Sequence, residues 1–184
     1  MKTNNHPEII FLLSIIIFMF FYSKLIVVPI SSKYEIKVPK KISYFSILAK
    51  DSGLERIVKD ASLKYNIDIY LIYAIIKVES DFNQFAVSYK GAKGLMQIMP
   101  KTAQEVGIIN IFDIKENVFG GTKYISILMK RFNNDLDLVL AAYNSGPTRV
   151  SKLKKIPKIY ETEQYVIRVL YYYNLYRIKK EIIR

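Results

Sequence analysis

Cysteine and tryptophan are absent from this chain of 184 residues, and histidine occurs once, at His6. The lack of cysteine excludes disulfide frameworks, thiolate zinc centres, iron–sulfur clusters, cysteine nucleophiles and lipid attachment through an N-terminal cysteine. One histidine excludes histidine-based triads and multi-histidine metal sites. Acid–base chemistry is left to carboxylates, tyrosines and lysines. An apolar fraction of 51% with 24% charged residues excludes a disordered or collagen-like chain.

Acidic residues are the minority charge. Lysine and arginine number 28 against 16 aspartates and glutamates, a formal net charge of +12. Such an excess calls for an anionic partner or anionic surroundings. Nucleic acid is not expected, because the chain shows no helix-turn-helix, zinc finger or glycine-rich phosphate loop, and its basic residues are scattered. An anionic cell envelope matches the charge equally well.

The length fits one ordinary domain with an appendage. Residues 9–22 are an apolar run broken only by Ser14, and apolar character resumes from Leu25 to Ile30. Together they reach the ~20 residues that cross a bilayer core as one helix. Residues 1–30 are therefore expected to be a membrane anchor. A cleaved signal segment is the competing reading, although no small-x-small cleavage site follows. Lys24, Lys33, Lys37, Lys40 and Lys41 trail the run. Counted alone, the positive-inside rule would leave the remainder of the chain in the cytoplasm. Residues 31–44 read as a basic linker, and residues 45–184 as the folded domain.

That domain reads as all-α. Ser52 and Glu55 form a capping box, and Leu54, Ile57, Val58 and Ala61 line one helical face. Asp68 is placed to cap a second helix reaching about Ser80, and Pro100 to start a short one ending near Gly107. Val118, Gly121, Tyr124, Ile125, Leu128, Met129 and Phe132 recur at helical steps. A further helix is expected from Asp135 to Tyr143, stopped by Asn144, Ser145, Gly146 and Pro147, and a last one from Glu161 to about Ile178.

Glu79 breaks this pattern. Ile69, Ile72, Ile76 and Glu79 fall on one face of the second helix, where a glutamate takes the place of the next apolar residue. Burial penalises the charged carboxylate and raises its pKa, which keeps a glutamate protonated near neutrality and able to act as a general acid. The alternative is a carboxylate turned to solvent at a frayed helix end. Gly91 and Gly94 permit tight turns beside whatever Glu79 faces. Leu95, Met96, Ile98 and Met99 supply apolar wall around Gln97, whose amide needs a polar partner such as a sugar acetamido or hydroxyl group.

The pattern ES-x-F, A-x-S-x-x-GA-x-GLMQIMP-x-TA stands here at Glu79, Ser80, Phe82, Ala86, Ser88, Gly91, Ala92 and residues 94–103. It resembles the first motif of the soluble lytic transglycosylase family, goose-lysozyme-like enzymes that cleave bacterial cell-wall glycan. Asn117, Gly121 and Tyr124 resemble the second motif. The run from Ala141 and Ala142 through Tyr143, Asn144, Ser145, Gly146 and Pro147 resembles the third. Glu161, Thr162, Tyr165 and Val166 resemble the fourth, with Tyr160 in place of the usual proline and Glu163 in place of a frequent arginine. The likeness spans residues 54–173.

It implies a lysozyme-like fold, with Glu79 as the catalytic acid and then base. It also implies that Ser88, Gln97, Met99, Tyr143, Asn144 and Glu161 contact or support the substrate. For Glu161 the residues alone offer a plainer role, a carboxylate favoured by a helix N-terminus. The implied reaction splits the β-1,4 bond between N-acetylmuramic acid and N-acetylglucosamine without water and with no metal or organic cofactor, leaving 1,6-anhydromuramic ends. A hydrolytic muramidase, and a membrane-tethered wall-binding module without turnover, are the rival readings. The implied partners are peptidoglycan glycan strands and the cytoplasmic membrane, the chain acting as a monomer. Because murein lies outside that membrane, the domain should face outward, against the charge count around the hydrophobic run.

Overall fold

A computed structural model describes residues 52–183. The expected anchor at 1–30 and linker at 31–44 lie outside the described residues. Seven helices follow one another: α1 (Ser52–Tyr65), α2 (Ile69–Ser80), α3 (Pro100–Val106), α4 (Ile114–Arg131), α5 (Leu136–Ser145), α6 (Pro147–Leu153) and α7 (Tyr160–Ile183). Among the described residues there is no strand, only isolated antiparallel bridges from Lys93 to Val87 and to Ile98. The all-α expectation holds for this part of the chain.

Helix α2 is the centre. All six residues from Leu71 to Ile76 are buried, so this short helix is covered on every side rather than along one stripe. It packs against α1 on one flank and α7 on another, while α1 also packs on α4, and α5 on both α4 and α7. Each start has a local cause. Asp68 accepts the Tyr70 backbone N–H at 2.8 Å, Asp113 that of Glu116 at 2.8 Å, and Asp135 that of Leu138 at 3.1 Å. These side chains satisfy donors that the first helical turn leaves unpaired. Pro100 and Pro147 open α3 and α6, where a missing N–H costs nothing.

One expectation is corrected. Asn144 and Ser145 do not stop α5; both are helical, and the stop falls at Gly146, which has φ +91°. Asn144 stays in the helix because its side chain is engaged with α7 instead of turning back on its own backbone. Pro147 does not open a loop either; it starts α6, which the sequence alone did not suggest.

Candidate active site

The segment from Asp81 to Met99 is a ladder of turns laid against the end of α2. Ser80, Gln97 and Asn117 are among the side chains that hold it. The Ser80 hydroxyl donates to the Leu95 carbonyl at 2.8 Å, pinning the loop to the last residue of α2. The Gln97 Nε2 donates to the carbonyls of Ala86 and Gly94, at 3.0 and 2.9 Å, drawing the loop together. Asn117, on α4 and only 1% exposed, accepts the Met96 N–H at 2.8 Å. Its Nδ2 donates to Lys93 and Ile111 carbonyls at 3.1 and 2.8 Å. A buried amide with both N–H donors and its oxygen engaged is a rigid joint. Gly94 makes the joint possible: at φ +79°, a Cβ there would stand 2.2 Å from Asn117 Nδ2.

The loop and the helices α2 and α7 enclose an open cleft of about 480 Å³. Glu79, Ser88 and Gln97 line it together, with Asp81 and Lys77 on the α2 side and Arg168 and Tyr172 from α7. Glu79 is half-buried, crowded by protein but open to the cleft. Loss of solvent is the main influence on its carboxyl and lifts the pKa to about 7. The Tyr165 hydroxyl and the Arg168 cation pull it down, and the Glu161 carboxylate pushes it up. The stripe argument thus identifies a real anomaly, a glutamate whose carboxyl is raised from the ordinary 4.5 to about 7.

The other candidates fall in different places. Ser88 accepts the Ala92 N–H on its Oγ at 3.0 Å, which leaves its own proton to donate into the cleft. Gln97 spends its NH2 group on the loop, so only its carbonyl oxygen is presented outward. Tyr143 donates its hydroxyl to the Met96 carbonyl at 2.8 Å and shores up the loop from behind. Asn144 accepts the Thr162 hydroxyl at 2.9 Å, tying α5 to α7. Glu161 is exposed and bound by Lys90 Nζ at 3.0 and 3.1 Å, an ion pair between the loop and the start of α7. Met99 caps α3 and is 42% exposed. Met99, Tyr143, Asn144 and Glu161 are not among the residues lining the cleft.

Of two residues beside Glu79, the sequence marks Tyr165 only as part of the fourth motif, without a role, and does not single out Arg168. Tyr165 is buried with no hydrogen-bond partner at full geometry, and the group it faces is the Glu79 carboxyl. Its ring stacks parallel to that of Tyr143, centroids 6.5 Å apart. Arg168 stands three residues further along α7, one turn on, at the cleft. The signal was available, since helical spacing from Glu161 places Tyr165 and Arg168 on adjoining turns, but nothing in the sequence shows which face meets α2.

The transglycosylase SLT domain family matches residues 56–166. The chain belongs to this family. It is 35% identical over 108 residues to the membrane-bound lytic murein transglycosylase F of Desulfosudis oleivorans, covering 55% of this chain and 24% of that one. It is also 35% identical over 100 residues to the transglycosylase of Enterobacteria phage PRD1, covering 53% and 37%. The 70-kDa soluble lytic transglycosylase of Escherichia coli superposes with a TM-score of 0.61 at 30% identity, over 68% of this chain and 24% of that one. The chain therefore spans well under half the length of the relatives it matches. The lysozyme-like helical architecture of the SLT domain is thereby established for the described part.

Proposed function

We propose that the chain is a peptidoglycan lytic transglycosylase, tethered to the cytoplasmic membrane by residues 1–30 with the domain facing the cell wall. The observation that carries it is the Glu79 carboxyl, protonated up to about pH 7 and open to a cleft. The other carboxylate lining that cleft, Asp81, is paired with Lys77. Glycoside hydrolysis ordinarily takes two carboxylates, one as acid and one as nucleophile or base. A site with one available carboxyl suits a reaction in which the substrate supplies its own nucleophile.

Protonated Glu79 gives its proton to the glycosidic oxygen as the C1–O bond of N-acetylmuramic acid breaks. The carboxylate then takes the proton of the C6 hydroxyl while that oxygen bonds to C1. The 1,6-anhydro ring closes, no water is consumed, and Glu79 ends protonated as it began. A tethered hydroxyl reacts with the high effective molarity of an intramolecular group, so the protein need not position water. Ser88, donating from the cleft wall, and the Gln97 carbonyl are placed to hold sugar hydroxyl and acetamido groups. The Tyr165 hydroxyl steadies the carboxylate that forms between the two proton transfers, and Arg168 lowers the cost of its charge.

Incubation of the full-length chain with purified sacculi tests this reading. Soluble fragments should be released by the native chain and not by Glu79→Gln. Binding to sacculi without release by the native chain would make it a tethering module.

A further inference from the structure

Helix α6 and the turn after it carry a surface unrelated to the cleft chemistry. From Leu138 to Tyr160 the chain contains no acidic residue, and within that stretch Arg149, Lys152, Lys154, Lys155 and Lys158 are all exposed. None of the five forms an ion pair among the described residues. Arg149 and Lys152 lie one turn apart and line the same shallow groove at the α5–α6 corner. Arg131 joins them from the end of α4, donating from Nε to the Ser151 hydroxyl at 3.1 Å. Those five cations already stand within ten residues of sequence, and the fold adds Arg131 to them. In the middle of them Leu153 is 44% exposed, between Lys152 and Lys154.

We infer that this face docks on an anionic lipid bilayer surface. Cations left unpaired on one face gain from a negative surface potential that falls off within a Debye length. An apolar side chain set among lysines is the pattern of interfacial binding, in which the cations meet headgroups and the apolar group enters the acyl boundary. A hydrophilic wall polymer would satisfy the lysines but leave Leu153 in water, which favours the bilayer as the occupant. The covalent geometry permits it. Only 21 residues separate the apolar segment ending at Ile30 from α1, a reach of no more than ~75 Å when fully extended. Such a contact would fix how high above the membrane, and in which orientation, the cleft meets its substrate. The inference uses the anchoring part of the proposed function but not the catalytic part.

The chain has no cysteine, so Leu153→Cys gives one site for a polarity-sensitive dye. The labelled full-length chain is mixed or reconstituted with vesicles of phosphatidylcholine alone, or of phosphatidylcholine with a third phosphatidylglycerol. Nitroxide-bearing lipid serves as quencher. The expected result is blue-shifted, quenched emission on the anionic vesicles only. High salt, or replacement of Lys152, Lys154, Lys155 and Lys158 by glutamate, should abolish it. A dye on Ile109→Cys, at an exposed position with no lysine within five residues of sequence, should stay aqueous throughout. Equal emission on neutral and anionic vesicles would overturn the inference, as would an equal shift at Ile109. A shift produced by soluble sacculus fragments in place of anionic lipid would also overturn it and assign the face to the wall. Flotation with neutral vesicles reads the anchor separately, so loss of anchoring and loss of docking are told apart.

Discussion

The Tyr143 hydroxyl donates to the Met96 carbonyl at 2.8 Å, across 47 residues of sequence. That bond joins α5 to the loop whose other side faces Glu79. It places Tyr143 behind the site, whereas the tyrosine whose hydroxyl meets Glu79 is Tyr165, stacked on it. The two should therefore respond differently to loss of their hydroxyls. Tyr165→Phe removes a donor that favours the carboxylate, so the pH at which activity falls should move upward. Tyr143→Phe should leave that pH in place and cost about 0.5–1.5 kcal/mol of stability, the net worth of a neutral hydrogen bond. Rate–pH profiles and urea unfolding of the two variants check this.

Activity itself should fall as pH rises through about 7. Burial raises the Glu79 pKa to that value, and the first step needs the protonated form. The measurement is kcat/KM for glycan release across pH 5–9, a range that brackets the transition. A flat profile across pH 7 would mean that Glu79 is not the acid.

Stability should follow the same group and in the same direction. The folded pKa lies above the ordinary 4.5, so folding is undisturbed by Glu79 below about pH 4.5. As pH climbs from there to about 7, the unfolded chain loses the proton that the folded chain retains, and stability falls by at most about 3 kcal/mol. Glu79→Gln should remove this slope, matching the native chain near pH 4 and exceeding it above pH 7. It should also reduce turnover by about 10²–10⁴-fold. Urea midpoints at several pH values decide the first part.

Much of this was legible in the sequence. The cap at Asp68, the helix opening at Asp135 and the start at Pro100 are short-range chemistry, and α2 ends where Glu79 and Ser80 suggest. Glu79 is visible because it violates an apolar period. What sequence does not display is which partner meets each face. Gln97 looks like a ligand group, yet its NH2 is consumed by carbonyls of its own loop. Glu161 belongs to a motif, yet it holds Lys90 at the surface. Tyr165 and Arg168 count only because α7 packs on α2, a long-range contact without a local signature.

The glycines of the loop offer a sharper contrast. At Gly91, φ is +85° and a Cβ would meet nothing within 4 Å, so Gly91→Ala should cost only the left-handed backbone penalty, ~1–2 kcal/mol. At Gly94 the added Cβ would strike the Asn117 amide and the Ile111 carbonyl. Gly94→Ala should therefore destabilise by more, and should lower activity by shifting the loop that carries Ser88 and Gln97. Asn117→Leu should damage the same joint, leaving the Met96 N–H and the Ile111 carbonyl without their partner while the Lys93 carbonyl keeps the Ile98 N–H, at roughly 2–4 kcal/mol. Unfolding curves for the three variants rank these costs.

The mass of the released muropeptides tests the central claim most directly. Digestion of purified peptidoglycan by the full-length chain, in the presence of a chelator, should yield muramic ends one water lighter than hydrolysis gives and inert to borohydride. Intramolecular capture by the C6 hydroxyl with Glu79 as the one acid and base requires that outcome. Reducing muramic ends as the dominant product would contradict it, and would demand a water-activating group that the cleft beside Glu79 has not been assigned.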